Sequence, residues 1–448
     1  MSLTEDLANL PNDFVPAQFG RFRQHIDPVW IAEALVATGT ATIRRRRLPA
    51  EQVVWIVLGM ALMRNESIER VVETLNLALP SPEDEPTARS AIVQARQRLG
   101  EEPMAYLFAT TADRWAHDSA GRHRWHGLAL YGVDGTILRV PDSLENWDEF
   151  GGQRGNGTRG GSAYPQVRLV TLMALRSHLL ANTYFGPYST GETTYADGFW
   201  YELPNHSLII GDKNFLIFDD LCAMSHSGED KHWLVPAKST TRMRRVKKLG
   251  RNDWLVEVEL SEQTRKKYPD LPLVILARAI TYRKKGFPER TLLTSMGDRE
   301  RFPARGIIEL YHERWELEVG NDEIKTHLLD RQEAIRSRTP AGVRQEIWGI
   351  LLAYNLVRVE MERAADEADV EPTQISFVNA VALIRYCWLI STTPPLAPSR
   401  IPERLLSLRR QIKLLLLPAR RRQRKAPREV KIKMSKFKRK RPTTSGRK

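Results

Sequence analysis

Apolar positions recur at intervals of three and four through the first 120 residues, the spacing of helices packed on a core. This predicts helices over 28–36, 49–64, 67–77, 87–99 and 102–117. Pro49 suits a helix start, and SPEDEPT (81–87) reads as a linker. Beyond them the pattern changes. Apolar and β-branched runs predict strands at about 128–140, 166–176 and 178–187, able to form an antiparallel start. GETTYADGFWYEL (191–203) reads as a crossover helix, followed by strand 207–211, helix 213–226 and strand 231–236. The middle, about 238–300, holds the strand-like runs DWLVEVEL, LPLVILARAITYR and RTLLTSM. Helical spacing returns over YHERWELEVGNDEIK (311–325), then over 341–368 and 375–391, which read as buried on one side.

The segment 311–325 carries the most chemistry. At about 100° per residue, Tyr311, Arg314, Glu318 and Lys325 fall within an arc of about 60°. Leu310, Leu317, Ile324 and Leu328 form a separate apolar stripe that anchors the helix. A carboxylate, a guanidinium, an ammonium and a phenol thus project together, which suits a metal-assisted site acting on a phosphodiester. Taken alone, such a face is also what a solvated helix carries, with Arg314 and Glu318 as a four-residue ion pair.

Two upstream aspartates shift the balance. Leu128 to Val133 reads as an apolar strand broken by Gly132; Asp134 follows it, and Gly135 permits close backbone approach. Ser207 to Ile210 is a short apolar run ended by Gly211 and Asp212, and Phe215, Phe218 and Leu221 mark the inner side of the next helix. An Asp at a strand end faces a crevice readily, although either one singly is a common cap or turn residue.

With these residues placed, the chain resembles DDE transposases of the insertion-sequence-four (IS-four) family, which have an RNase H-like catalytic core. The family signature runs Tyr, two residues, Arg, three residues, Glu, six residues, Lys; Tyr311, Arg314, Glu318 and Lys325 meet it without a gap. Asp134, Gly135 and Thr136 match its Asp-Gly-Thr motif. Asp212, Lys213, Asn214 and Phe215 match the second Asp motif, with Asn in the small-residue slot. The likeness extends from about Asp27 to the basic tail.

The resemblance implies an α/β fold: an RNase H-like mixed sheet core, a β-rich insertion domain, a helical N-terminal domain, and a helical C-terminal region with a basic tail. The order of predicted elements is compatible with it, and the 105 residues between Asp212 and Glu318 leave room for the insertion. The expected division is 1–120 helical and DNA-binding, 121–237 first part of the core, 238–300 insertion, 301–335 second part of the core carrying Glu318, 336–417 helical, and 418–448 basic tail.

Function follows the same way. Asp134, Asp212 and Glu318 are the expected catalytic residues and the ligands of two Mg²⁺ ions, with Mn²⁺ able to substitute. Tyr311, Arg314 and Lys325 are expected to grip DNA. The implied activity is cut-and-paste transposition: strand cleavage, with hairpin ends in relatives, then strand transfer into target DNA. The implied partners are double-stranded DNA, as terminal inverted repeats and target, and a second copy in a synaptic homodimer. One departure concerns the hairpin. Relatives can place a Trp beside the late insertion strand to stack a flipped base, whereas Arg290 and Thr291 stand before LLTS here. Trp233 and Trp254 are candidate stand-ins, but core or sheet packing is the better account of each, and Trp315 is expected to pack against the core.

Charge adds a second DNA signal. The chain has a formal net charge of +14, and residues 418–448 hold fifteen Lys or Arg against one acid, Glu429, so the remainder is formally neutral. Such a tail binds a phosphate backbone or merely solvates. Phe437 alone is poor support for a membrane role. Arg89, Gln94, Arg96, Gln97 and Arg98 lie on the helix 87–99, where an Arg and Gln face can read base edges as readily as it can be plain solvated surface. Arg44–Arg47 mark an exposed basic loop. FGGQRGNGTRGGSAYPQ (150–166) lacks the Gly-Lys-Ser/Thr of a P-loop and reads as a loop near Asp134, with Arg154 and Arg159 able to steer DNA.

No apolar run reaches membrane-spanning length, and the N-terminus has no basic-then-apolar signal, so a cytoplasmic, nucleoid-associated protein is expected. Cys222 and Cys387 sit in apolar helical contexts, as free core thiols do. Other readings remain: an RNase H-like nuclease without transposition, a domesticated DNA-binding protein that ignores metal, and a Ser or Cys hydrolase, which lacks GxSxG and a His-bearing motif near either Cys.

Overall fold

The computed structural model describes residues 26–417 apart from 42–47, 76, 78–86, 154–160, 261, 268–272, 285–286, 331–334 and 390–400. The expectations for Arg44–Arg47, most of SPEDEPT, Arg154, Arg159 and the basic tail lie outside the described residues, as does the side chain of Cys387.

Among the described residues, nine strands form one mixed sheet in the order β3-β2-β1-β4-β5-β9-β8-β7-β6. β1 (Ala129–Arg139), β2 (Gln166–Ala174) and β3 (Leu180–Pro187) make the antiparallel start. β4 (Ser207–Ile210) and β5 (Lys231–Pro236) are parallel to β1, with Gly132 opposite Ile210. Successive side chains of β1 enter opposite cores, as strand alternation requires. Leu128 and Leu130 join one apolar cluster; Ala129, Tyr131 and Val133 join the other. The fold is therefore the expected mixed α/β arrangement.

The segment 238–300 supplies β6 (Met243–Gly250), β7 (Asp253–Glu259), β8 (Val274–Tyr282) and β9 (Arg290–Thr294). These strands continue the same sheet, because β9 pairs antiparallel with β5 at Leu234 and Thr294. β6 was not anticipated: MRRVKKLG has no apolar alternation, because as an outer strand it buries almost nothing.

Other local expectations change. The crossover over 191–203 is two short helices, Glu192–Ala196 and Phe199–Glu202, interrupted at Asp197 and Gly198. The turn after Asp212 is a 3-10 segment, Lys213–Phe215, and the α-helix begins only at Phe218. Helix Pro340–Ala368 is buried on nearly all sides rather than one, since N-terminal helices, the sheet and C-terminal helices all surround it. Arg96 turns inward, donating to Gln345 Oε1 at 2.9 Å and Ser337 Oγ at 3.2 Å, so it is withdrawn from the solvent face of helix Arg89–Leu99. Cys222 is buried. No helix among the described residues is long and apolar enough to cross a membrane.

Candidate active site

Asp134 lies inside β1, opposite Thr171, rather than at the strand's end. β4 stops earlier, its last pair with β1 being Gly132 and Ile210, so Asp134 and Asp212 both stand just beyond the parallel pairing. The crevice opens where one neighbour ends, and this brings two aspartates distant in sequence to adjacent strands. Asp212 caps the 3-10 turn, accepting from the Asn214 backbone N–H at 2.7 Å.

The segment bearing Glu318 is not one regular helix. It runs as Ala304–Glu313, is interrupted at Arg314, continues as Trp315–Asp322, and ends in a π turn over Glu323–Leu328. Constant rotation of about 100° per residue does not carry through to Lys325, because a π turn is wider. Lys325 is half-buried within that turn. The apolar stripe is as expected: Leu310, Leu317, Ile324 and Leu328 are all buried. A Cβ on Gly132 would stand 2.5 Å from Leu317 Cδ2, and one on Gly320 would meet Met173 Cε. These two glycines let helix and sheet approach closely, which sets the height of Glu318 above β1.

Glu318 accepts from Arg314 Nη2 at 2.9 Å, so the four-residue ion pair forms. Arg314 also acts electrostatically on Asp134 and Tyr311. Tyr311 is only 4% exposed, and burial raises its hydroxyl pKa against the opposing pull of Arg314 and Arg290. Asn321, one turn after Glu318, donates through Nδ2 to Asp134 Oδ2 at 2.9 Å. This residue was missed from sequence, although its offset of three from Glu318 is the available signal. Trp315 is 38% exposed, not packed inward; Trp233 is buried, and Trp254 is half-buried beneath Arg245 and Lys248.

Burial pushes the Asp134 carboxyl up to about 6; the Asp212 charge adds to the rise, while the Gly135 N–H, Arg314 and Asn321 oppose it. Ionised Asp134 therefore costs stability in full above about pH 6, and the cost shrinks as the pH falls from there toward the ordinary 3.8 or as a cation arrives. Among the described residues, no three His, Cys, Asp or Glu side chains are gathered closely enough to hold a metal ion. The donor set nonetheless fits a hard cation. Asp134 and Asp212 repel each other, and the buried Asn321 Oδ1 beside them has no hydrogen-bond partner. The third carboxylate, Glu318, faces Arg314. Because a ligating carboxylate must be deprotonated, Mn²⁺ binding measured by calorimetry should be about tenfold weaker near pH 5 than near pH 7. A flat profile would exclude Asp134 as a ligand.

A mixed sheet with two aspartates just beyond its parallel pairing, faced by a segment carrying Tyr311, Arg314 and Glu318, is an arrangement suited to metal-assisted phosphodiester chemistry. Two family models match the chain: insertion element 4 transposase N-terminal over residues 16–109, and transposase DDE domain over residues 125–356. Transposase InsG for insertion sequence element IS4 of Escherichia coli (strain K12) is 39% identical over 409 residues, covering 91% of this chain and 90% of that protein. Putative transposase InsZ of the same organism is 37% identical over 240 residues, covering 53% of this chain and 78% of that one. The chain belongs to the insertion-sequence-four family of DDE transposases. It is a DNA transposase of a family that binds DNA and uses divalent metal ions. Among solved structures, a piggyBac transposase synaptic complex with hairpin DNA aligns loosely, with a TM-score of 0.43 and 12% identity over 91% of this chain and 86% of that one.

Proposed function

We propose that this transposase performs cut-and-paste transposition with Asp134, Asp212 and Glu318 as its catalytic carboxylates, holding two Mg²⁺ ions for which Mn²⁺ can substitute. The observation that carries this reading is the convergence of Asp134, Asp212, Tyr311, Arg314, Glu318 and Asn321 into one electrostatic neighbourhood. The cations would supply an activated oxygen nucleophile and charge neutralisation at the leaving oxygen. The protein's part is positioning. Arg314, Lys325 and Tyr311 hold phosphate oxygens around the scissile bond. A phosphate that takes the Arg314 guanidinium releases Glu318 from its ion pair, so DNA engagement completes the carboxylate set. Hydrolysis frees a 3′-hydroxyl at the terminal repeat, and that hydroxyl attacks target DNA. Second-strand release through a hairpin is the expected route, although Arg290 stands where relatives can carry Trp. Two ends joined together call for two copies, and the domain division above assigns end recognition to 1–120.

Glu318→Ala should abolish nicking and joining of the element's terminal DNA in Mg²⁺ while leaving end binding largely intact. Residual cleavage by this variant on a denaturing gel would refute the assignment. Cleavage of unrelated duplexes without end preference or joining would favour a plain nuclease, and metal-indifferent binding alone would favour a catalytically idle protein.

A further inference from the structure

We propose that the edge of the sheet next to the active site continues into a DNA-backbone track across β9, β8 and the β6–β7 turn, lined by Arg290, Arg283, Lys284, Arg251 and Lys248. This deepens the proposed function and rests on its placing of the scissile phosphate beside Asp134 and Asp212.

Strand register carries the argument. β9 runs antiparallel to β5, with Leu292 opposite Pro236, so Arg290 begins β9 at the end where β4 stops before Asp212. Tyr282 pairs with Arg290, which places Arg283 and Lys284 at the same end of β8. Asp253 pairs with Ile280 and with Gly250, which brings Arg251 and Lys248 to that end as well. Arg290, Arg283, Arg251 and Lys248 are exposed. Of their acidic neighbours, Asp253 is buried on Arg278 and Glu257 pairs with Arg244 farther down the ribbon, which leaves the exposed Glu289 beside Arg290 against five cations. Arg290 joins the track to the site, because its guanidinium lies 5.9 Å from the Tyr311 ring. At the far end Arg245 and Lys248 both stack on Trp254.

Lysines on an outer strand also guard a sheet against edge-to-edge pairing. That accounts for β6 but not for Arg290 on the interior strand β9, nor for Arg283 and Lys284, which directly follow the interior strand β8. Five strand spacings separate β4 from β6, about 24 Å. At 3.4 Å per nucleotide, a duplex lying across the strands would meet Lys248 roughly seven base pairs from the cleavage point.

The full-length protein is titrated, without divalent metal, against labelled terminal duplexes having about four or about fifteen base pairs on either side of the cleavage point. Lys248→Ala and Arg251→Ala should each reduce the slope of log affinity against log salt by about 0.9 on the long duplex, so that a fourfold rise in salt costs roughly threefold less affinity per cation removed. On the duplex that is short on the track's side they should match the parent, whereas Arg290→Ala should lower the slope on both. Lys248→Arg should restore the slope and excludes a folding defect. Unchanged slopes on the long duplex would overturn the track, and equal losses on both duplexes would overturn its course. Cleavage by Glu318→Ala would instead condemn the site while leaving the slopes readable.

Discussion

Gly132→Val should reduce end nicking at least about 100-fold with every carboxylate still present. A Cβ at this position would stand 2.5, 2.8 and 2.9 Å from three atoms of Leu317, a side chain only 1% exposed and enclosed by core. Leu317 precedes Glu318, so whatever lifts it lifts the carboxylate off β1. Overpacking of this kind costs about 1–3 kcal/mol, and a displacement near 1 Å at a reacting centre can cost about 100-fold in rate. Adding Leu317→Ala to the same chain empties the contested space and should recover part of the activity. Single-turnover nicking and urea midpoints for the two variants separate misplacement from unfolding. Parental nicking by Gly132→Val would show that helix height does not govern the site.

The second large effect lies behind the site. Glu323, in the π turn, is buried with His178, Tyr354 and Arg358. Its Oε2 accepts from Tyr354 OH at 2.8 Å, lies 3.2 Å from His178 Nδ1, and is paired with Arg358. His178 holds a left-handed backbone at φ 62° in the β2–β3 turn and also meets Glu316 Oε2 at 2.8 Å. The network ties the π turn to helix 340–368 and to the sheet. Burial alone would raise the Glu323 pKa, but Arg358 and His178 outweigh it and bring the carboxyl down to about 2. Glu323→Ala leaves the Arg358 charge buried and uncompensated, which should destabilise the protein by about 3–5 kcal/mol in urea unfolding. Arg358→Met in the same chain should restore much of that loss.

The pH dependence has a definite sign. With its folded pKa depressed from the ordinary 4.5, Glu323 contributes stability that is complete above that value and is lost as the pH falls toward about 2. The difference in urea midpoint between parent and Glu323→Ala should therefore shrink over that interval. A constant difference would mean that the carboxylate charge is not what holds the turn.

Much of this was legible because the chain writes local constraints locally. Strands β1 to β5 were visible as apolar runs, since each buries at least half of its residues. β6 was invisible, because its side chains are mostly exposed and carry no apolar alternation, unlike those of β3 at the other edge. The Tyr311-to-Lys325 spacing and the two Asp motifs named the candidate residues. They did not reveal the break at Arg314, or the π turn, whose Glu323 is held by His178, Tyr354 and Arg358. Asn321 and Arg290 were overlooked as site residues for a similar reason. Their relevance comes from what stands opposite them: Asp134 on β1 for Asn321, and Tyr311 for Arg290.

By itself the sequence determined the family, the α/β class and the candidate acidic, basic and phenolic groups, because spacing along a chain follows from covalent geometry and element period. Only the tertiary structure decided that Asp134 lies within a strand, that Asn321 reaches Asp134, that Arg96 faces inward, and that the strands of 238–300 continue the same sheet. Those outcomes depend on strand register and on competition among buried charges, and both are settled by contacts between residues up to hundreds of positions apart.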